Sequence, residues 1–190
     1  GAPLKMIGVI RDTSEKKIIE IQKTAQNQFS ILFSQNKKLE ELLKDALLFL
    51  ITYGEFLGAE LWLLDNQNNV LKQVCAESKP ENKNHILNKK IKIYKKGEGL
   101  PGRVWESGEI ENRVEKTNLD NNPSQYTQNN ITALGLPITH NSNFDGVLVV
   151  YANENIAKDF TKTDPLLNLG NLLNTEIKRK HQEEMHFLMF

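Results

Sequence analysis

Residues 97–108 read Gly97-Glu98-Gly99-Leu100-Pro101-Gly102-Arg103-Val104-Trp105-Glu106-Ser107-Gly108. Four glycines and a proline in this stretch predict a tight turn and a short helix set between two strand-like runs, with Trp105 inside it. The spacing Gly97-x-Gly99-x-x-Gly102 also satisfies a dinucleotide fingerprint. That chemistry needs a helix long enough to aim its dipole at a pyrophosphate, and an acidic residue about 20 positions further on. Here the helix can run only from about Leu100 to Glu106 before Gly108 stops it, and Pro101 removes one amide from any phosphate nest. The stretch is better read as a structural corner, with Val104 and Trp105 packed beneath a sheet.

Strand signals flank this corner on both sides. Ala59 to Asp65 and Val70 to Ser78 are strand-like runs joined by Asn66-Gln67-Asn68-Asn69, a hairpin by turn chemistry. A polar loop over 79–90, rich in Lys and Asn, precedes the short run Lys92-Ile93-Tyr94. Beyond the corner, Ile110 to Val114 is another short strand. Residues 115–130 then form a long polar loop with five asparagines, of a length usual for lids and binding loops. Ile131 to Thr139 and Gly146 to Ala152 make a second hairpin through the six residues 140–145. Its strand Gly146-Val147-Leu148-Val149-Val150-Tyr151 is apolar on both faces, so it belongs at the centre of a sheet covered on both sides. A final helix begins at Thr163-Asp164-Pro165, with Thr163 as its cap, and Leu166, Leu169, Leu173 and Ile177 step along one side.

Upstream, residues 4–11 are β-like, and Asp12-Thr13-Ser14-Glu15 supplies helix-start chemistry. Residues 14–53 then contain neither proline nor glycine. Ile18, Ala25, Leu32, Leu39 and Ala46 recur every seven positions, as do Ile21, Leu42 and Phe49 with Gln28 and Gln35 interrupting. A seam held over four repeats predicts one long helix whose N-terminal half pairs with another helix, the dimer contacts being Ile18, Ile21, Ala25, Leu32, Leu39 and Leu42. The whole order is α+β, an antiparallel sheet with long N- and C-terminal helices packed together on one face.

Bulk composition excludes several classes of function. Charged residues make up 25% of the 190 and balance to a net charge of zero, so no long-range field gathers nucleic acid or an anionic membrane. The longest apolar runs, Ala46 to Ile51 and Val147 to Ala152, fall far short of the ~20 residues that cross a bilayer. One cysteine, Cys75, precludes an intramolecular disulfide and favours a reducing, cytoplasmic setting. Apolar residues near both ends, Leu4 to Ile10 and Phe187 to Phe190, lead us to expect a segment of a longer protein.

Three stretches carry a resemblance. Leu39 to Leu64, the corner 97–109, and Leu134-Gly135-Leu136-Pro137-Ile138 with Gly146 to Tyr151 together resemble a GAF domain of bacterial sensor histidine kinases, spanning residues 39–178. Gly8 to Lys17 resembles the end of a PAS domain, with Thr13 where Ile is commoner and Ser14 in place of Thr. The implied organisation is the end of a PAS domain over 1–13, a helical linker over 14–38, the GAF domain over 39–178, and an exit helix over 179–190 leading to another module. The resemblance implies a non-catalytic sensory or relay domain, homodimeric through parallel helices. Those helices are expected to leave on the same side and to join PAS and kinase modules. With the loop lengths, it implies a small-ligand pocket between the sheet and segments 79–106 and 115–130, with Trp62, Arg103, Tyr126, Thr127 and Leu136 as candidate liners.

Chemistry beyond that is not evident. His181, in Lys180-His181-Gln182-Glu183-Glu184, lacks the proline that follows a phosphoacceptor histidine in the kinase family, and reads as an exposed linker residue. His85, His140 and Cys75 lack short metal-ligand spacing, so neither a metal nor haem is indicated. Cys75 does not resemble a bilin attachment site and reads as a structural thiol. No nucleophile elbow is present. The GAF fold also carries free methionine sulfoxide reductases, but that chemistry needs several cysteines. A cyclic-dinucleotide synthase or a transcription regulator is the alternative output, and no cofactor is evident.

Overall fold

A sheet whose middle strand is apolar on both sides must be covered twice, and the chain meets that demand with helices of different lengths. The computed structural model describes residues 2–86, 93–115, 131–153, 157 and 164–187. Its six strands are β1 (Gly58–Asp65), β2 (Val70–Ser78), β3 (Ile93–Tyr94), β4 (Glu111–Glu115), β5 (Ile131–His140) and β6 (Asn143–Asn153). They form one antiparallel sheet in the order β3-β2-β1-β6-β5-β4. Central β6 is buried from Gly146 to Ala152, as its two-sided apolar pattern requires.

One face carries three helices, α1 (Ala2–Phe33), α2 (Leu39–Tyr53) and, after the short α3 (Lys83–Ile86) and α4 (Gly99–Ser107) on the other face, α5 (Asp164–Phe187). Phe29, Phe33, Leu42, Leu50, Leu61, Leu148 and Leu173 fill the layer between them and the sheet. Across the sheet, Leu100 and Val104 of α4 and Ile86 of α3 cover Trp62, Val149 and Tyr151. Two glycines bring helices close to β5 from its opposite sides. A Cβ on Gly135 would stand 2.6 Å from Val104 Cγ2, and one on Gly170 of α5 would stand 2.8 Å from Ile138 Cγ1.

The hairpins follow their turn residues. Asp65 accepts from the backbone N–H of Gln67 and Asn68 and pairs with Lys72 at 2.6 Å, closing β1–β2 at residues 66–69. The Lys72 ammonium first, then the Asn68 side-chain amide and backbone N–H, hold the Asp65 carboxyl well below the usual carboxylate range. The β5–β6 connection is shorter than the six residues expected. Asn141 and Ser142 alone make the turn, with φ of 48° and 65°, because the mirror-image turn matches strand twist. Residues 143–145 consequently extend β6. Thr163, expected as the cap of α5, lies outside the described residues, and so do residues 87–92 and 116–130.

The N-terminal region departs most from expectation. Residues 4–11, read as β-like, are helical within α1, where each backbone group finds its partner inside the same segment. The single helix expected over 14–53 is broken at Ser34-Gln35-Asn36-Lys37-Lys38. There α1 folds back on α2: Thr24 Oγ1 meets Tyr53 Oη at 3.2 Å, and the Phe29 and Phe49 rings sit edge to face at 6.2 Å. Ile21, Ala25, Phe29 and Phe33, each four residues from the last, are thereby buried in the chain's own core. The burial of two phenylalanines outweighs the continuous helix that local propensity favours.

The reversal also redirects the ends. At its C-terminal end α1 meets the far part of α5, where Lys180 Nζ donates to the Gln35 carbonyl at 3.3 Å. Antiparallel to α2, α1 therefore runs in the same direction as α5. Its N-terminal part and the last turns of α5 lie at opposite ends of the helical layer, where the sequence reading expected a common side.

Substitution separates a core helix from a linker. Phe29→Ala is expected to lower unfolding free energy by about 3–5 kcal/mol. Ile19→Ala, at a residue 56% exposed, is expected to change it by less than about 0.5 kcal/mol. Urea denaturation of the two variants measures both.

Candidate functional site

The corner at 95–108 works as a self-contained turn. Gly97 N–H donates to the Gly102 carbonyl at 2.8 Å, Gly102 N–H to Glu98 at 2.9 Å, and Glu98 N–H to Lys95 at 3.0 Å. The Glu98 carboxylate accepts from Lys95 N–H at 3.0 Å. Three amides that could have formed a phosphate cradle are thus engaged inside the turn. Gly102 is sterically required, since a Cβ there would stand 2.3 Å from the Lys95 carbonyl oxygen. Gly108 ends α4 at φ 71° and returns its N–H to the Val104 carbonyl. Val104 is buried as expected. Trp105 is only half-buried, stacked on Phe144 at 6.0 Å, because it projects past the rim of the sheet toward the start of β6.

Beneath this corner the sheet holds a polar group that the sequence reading missed. Glu60 is 2% exposed, in the middle of β1. Its Oε2 accepts from Trp62 Nε1 and its Oε1 from Tyr151 Oη, both at 2.9 Å. The carboxylate so ties β1 to β6 on the α4 side, and the Trp62 ring leans on Tyr94 at 4.9 Å. Among the described residues no lysine, arginine or histidine forms an ion pair with it. A buried carboxylate served by neutral donors is costly to desolvate, so such groups mark positions where polarity serves a purpose other than packing. The sequence signal was a single acid inside the otherwise apolar run Ala59-Glu60-Leu61-Trp62-Leu63-Leu64.

The expected pocket liners are divided by this geometry. Trp62 lies in the layer under α4, beside Glu60, and Arg103 is half-buried on α4 itself. Leu136 does not line this side. It is fully buried in the opposite layer, against the long helices, because alternation along β5 turns it away from Gly135 and α4. Tyr126 and Thr127 lie outside the described residues. Of the expected dimer contacts, Ile21, Ala25 and Leu42 are covered by the chain's own helices, Leu32 and Leu39 are half-buried, and Ile18 lies on α1.

The remaining candidates stay apart. His85 is on α3, His140 ends β5 exposed beside Asn141, and His181 is exposed on α5. Among the described residues no group of three His, Cys, Asp or Glu side chains is placed to hold a metal ion. Cys75 on β2 is half-buried, and burial, with the Glu77 carboxylate second, pushes its thiol up to about 11. It borders a groove of about 690 Å³ between β2 and the start of α2, lined also by Lys38, Glu41, Lys44 and Glu77.

The exit helix is fastened to the tip of the β5–β6 hairpin. Asp145 Oδ2 accepts from Asn174 Nδ2 at 2.8 Å and from Lys178 Nζ, and Asn171 Oδ1 accepts from Thr139 N–H at 2.8 Å. These polar residues line the same flank of α5, next to the apolar stripe Leu169, Leu173 and Ile177.

Comparison with solved structures places this architecture. The chain is similar to the NLH2 GAF domain of A. aeolicus in an inactive state, at 19% identity and a TM-score of 0.62, over 86% of this chain and 99% of that one. It is also similar to the GAF domain of a proposed sensor histidine kinase from Pseudomonas syringae pv. tomato (12%, 0.55, over 96% and 99%). Free methionine-R-sulfoxide reductase from Neisseria meningitidis in complex with its substrate shares the architecture too (14%, 0.56, over 85% and 91%). No protein-family profile and no curated protein matches the chain. The fold is that of the GAF domains, α+β with a six-stranded antiparallel sheet.

Glu60→Ala leaves the Trp62 N–H buried without its acceptor and takes the Glu60 bond from the Tyr151 O–H, and is expected to cost about 2–4 kcal/mol. Glu60→Gln keeps an oxygen for Trp62 and turns its amide toward the Tyr151 oxygen, so its cost is expected to stay near 1 kcal/mol. Thermal unfolding followed by tryptophan fluorescence distinguishes them. Alkylation of Cys75 at pH 7 is expected to run about a hundredfold slower than for an unperturbed thiol, and to recover as pH rises toward the raised value.

Proposed function

We propose that the chain is a sensory and signal-relay GAF domain of a bacterial two-component sensor histidine kinase, without catalytic activity of its own. The observation that carries this reading is the placement of two polar groups along one strand. β6 holds Tyr151, bonded to buried Glu60, at one end, and Asp145, bonded to the exit helix, at the other. β6 is paired on both sides from Gly146 to Tyr151, and Asp145 stands next to that stretch, at the irregularity where the β5 register shifts, so the route from the Glu60 group to α5 is short. Such a connection suits a domain that reports a state to a neighbour. The likeness to sensor and regulatory GAF domains supports the same reading.

In this proposal a small molecule, or the state of a preceding PAS module, acts on the layer under α4, near Trp62 and Arg103. The response leaves through α5 toward a kinase module. Two copies pair through the N-terminal helices, and the protein works in the cytoplasm; among the described residues no helix is long and apolar enough to cross a membrane. A reductase activity like that of the Neisseria protein is disfavoured by the single half-buried cysteine with its raised pKa. A regulatory domain of a cyclic-dinucleotide enzyme or a transcription regulator is the second reading, and it uses the same transmission.

Asp145→Ala tests the transmission. Hydrogen exchange is expected to quicken severalfold over 171–180, with protection of β1 unchanged, because only the fastening of α5 is lost. Unchanged exchange in α5 would remove the argument. Native mass spectrometry and an absorption spectrum of the protein purified from its own host test for a ligand. A retained mass or a visible band is expected if the layer under α4 is occupied in the cell.

A further inference from the structure

The tip of the β5–β6 hairpin breaks the alternation of its own strand. From Val147 to Ala152 the residues of β6 alternate regularly. Val147, Val149 and Tyr151 lie in the layer under α4, and Leu148, Val150 and Ala152 face the long helices. Carried back to the tip, that parity would put Asp145 under α4 and Phe144 against the helices. The observed sides are the reverse. Phe144 packs in the α4 layer, stacked on Trp105 with the rings 13° from parallel, and Asp145 bonds Asn174 and Lys178 of α5. The cause is one extra residue. Ile138 pairs with Gly146 and Thr139 with Phe144, so Asp145 stands between the two pairs without one of its own. Such a bulge shifts the phase of the strand by one and exchanges the faces of the residues beyond it. On its β1 side the ladder is held close, since a Cβ on Gly146 would stand 2.2 Å from the Trp62 carbonyl oxygen. At the same break Thr139 gives its N–H to Asn171 Oδ1 of α5.

We propose that this bulge is the coupling element between the layer under α4 and the exit helix, and that Trp105 is the residue that works it. Two consecutive residues hold the two sides. Phe144 takes the Trp105 ring on one face, and Asp145 takes α5 on the other. The same bulge orients both, so the two contacts are made together or lost together. With the extra residue drawn into the ladder, Asp145 would pair with Thr139 and the turn would lengthen to 141–143. Alternation would then carry Phe144 toward the helices and Asp145 away from them. These are two discrete arrangements of one short segment, which is what a relay requires of its moving part. A displacement of α4 that takes Trp105 off Phe144 favours the second arrangement and releases α5. The coupling rests on the transmission to α5 proposed above and names its switch.

Trp105→Leu tests the coupling from the far side of the sheet. Hydrogen exchange over 171–180 is expected to quicken severalfold, as in Asp145→Ala, with protection of β1 unchanged. Trp105→Phe keeps a ring on Phe144 and is expected to restore slow exchange. Both losses release the same fastening, so a chain carrying Trp105→Leu and Asp145→Ala together is expected to exchange no faster than the faster single variant. Fluorescence quenching reads the reverse direction. Acrylamide reaches half-buried Trp105 and not Trp62, which is 1% exposed. Asp145→Ala is expected to raise the quenching constant about twofold, since coupling is reciprocal. Unchanged α5 exchange in Trp105→Leu, multiplied effects in the double variant, or unchanged quenching in Asp145→Ala overturns the coupling. In each of these cases the transmission proposed above stands if Asp145→Ala still quickens α5. Where Trp105→Leu loosens β1 as well, the quenching of Asp145→Ala decides. Asp145→Ala without effect on α5 overturns both.

Discussion

Strand β6 is the constraint on which the rest of the molecule depends. Seven consecutive residues, Gly146 to Ala152, are buried, so neither face of the sheet can be left to water. One face requires a long apolar cover, which three helices supply. The other is closed by short elements, α3, α4 and the glycine turn, whose backbone groups are satisfied locally. This asymmetry explains why the buried polar group lies where it does. Long helices bring rows of leucine and phenylalanine, whereas the short cover brings Tyr94, Trp105 and a turn, leaving room for aromatic and carboxylate chemistry beneath it.

Much of the sheet was legible in the sequence because strands and turns are specified locally. Val70 to Ser78 matches β2 at both ends, and the apolar run 146–151 places β6 at the centre. The corner at 97–108 has the tight turn and short helix that its glycines and Pro101 predict, while Trp105 is half-buried rather than packed beneath the sheet. Parity along β5 could have placed Leu136, because Gly135 beside it is where α4 sits. Glu60 was visible as a lone acid in an apolar strand. What it bonds to depends on Tyr151, 91 positions away, and no local pattern encodes that.

The helical region was less legible for a physical reason. A seven-residue apolar spacing says that a helix has a partner and does not say which. Ile21 and Ala25 find theirs inside the same chain once the helix bends, and no residue in 34–38 announces the bend. Helix breaks signalled by glycine or proline can be read locally, but one set by the burial of Phe29 and Phe33 emerges only after folding.

The two glycines that face β5 from opposite sides bear on how force crosses the domain. Val104 of α4 rests on Gly135, and Gly170 of α5 rests on Ile138, three residues further along the same strand. Val104 stands over the bare backbone of Gly135, while the Ile138 side chain fills the space between β5 and Gly170. Interiors packed at crystal-like density do not compress. β5 is thus a strand on which α4 and α5 both rest closely, from opposite faces and three residues apart, and an inward load on either helix bears on its backbone.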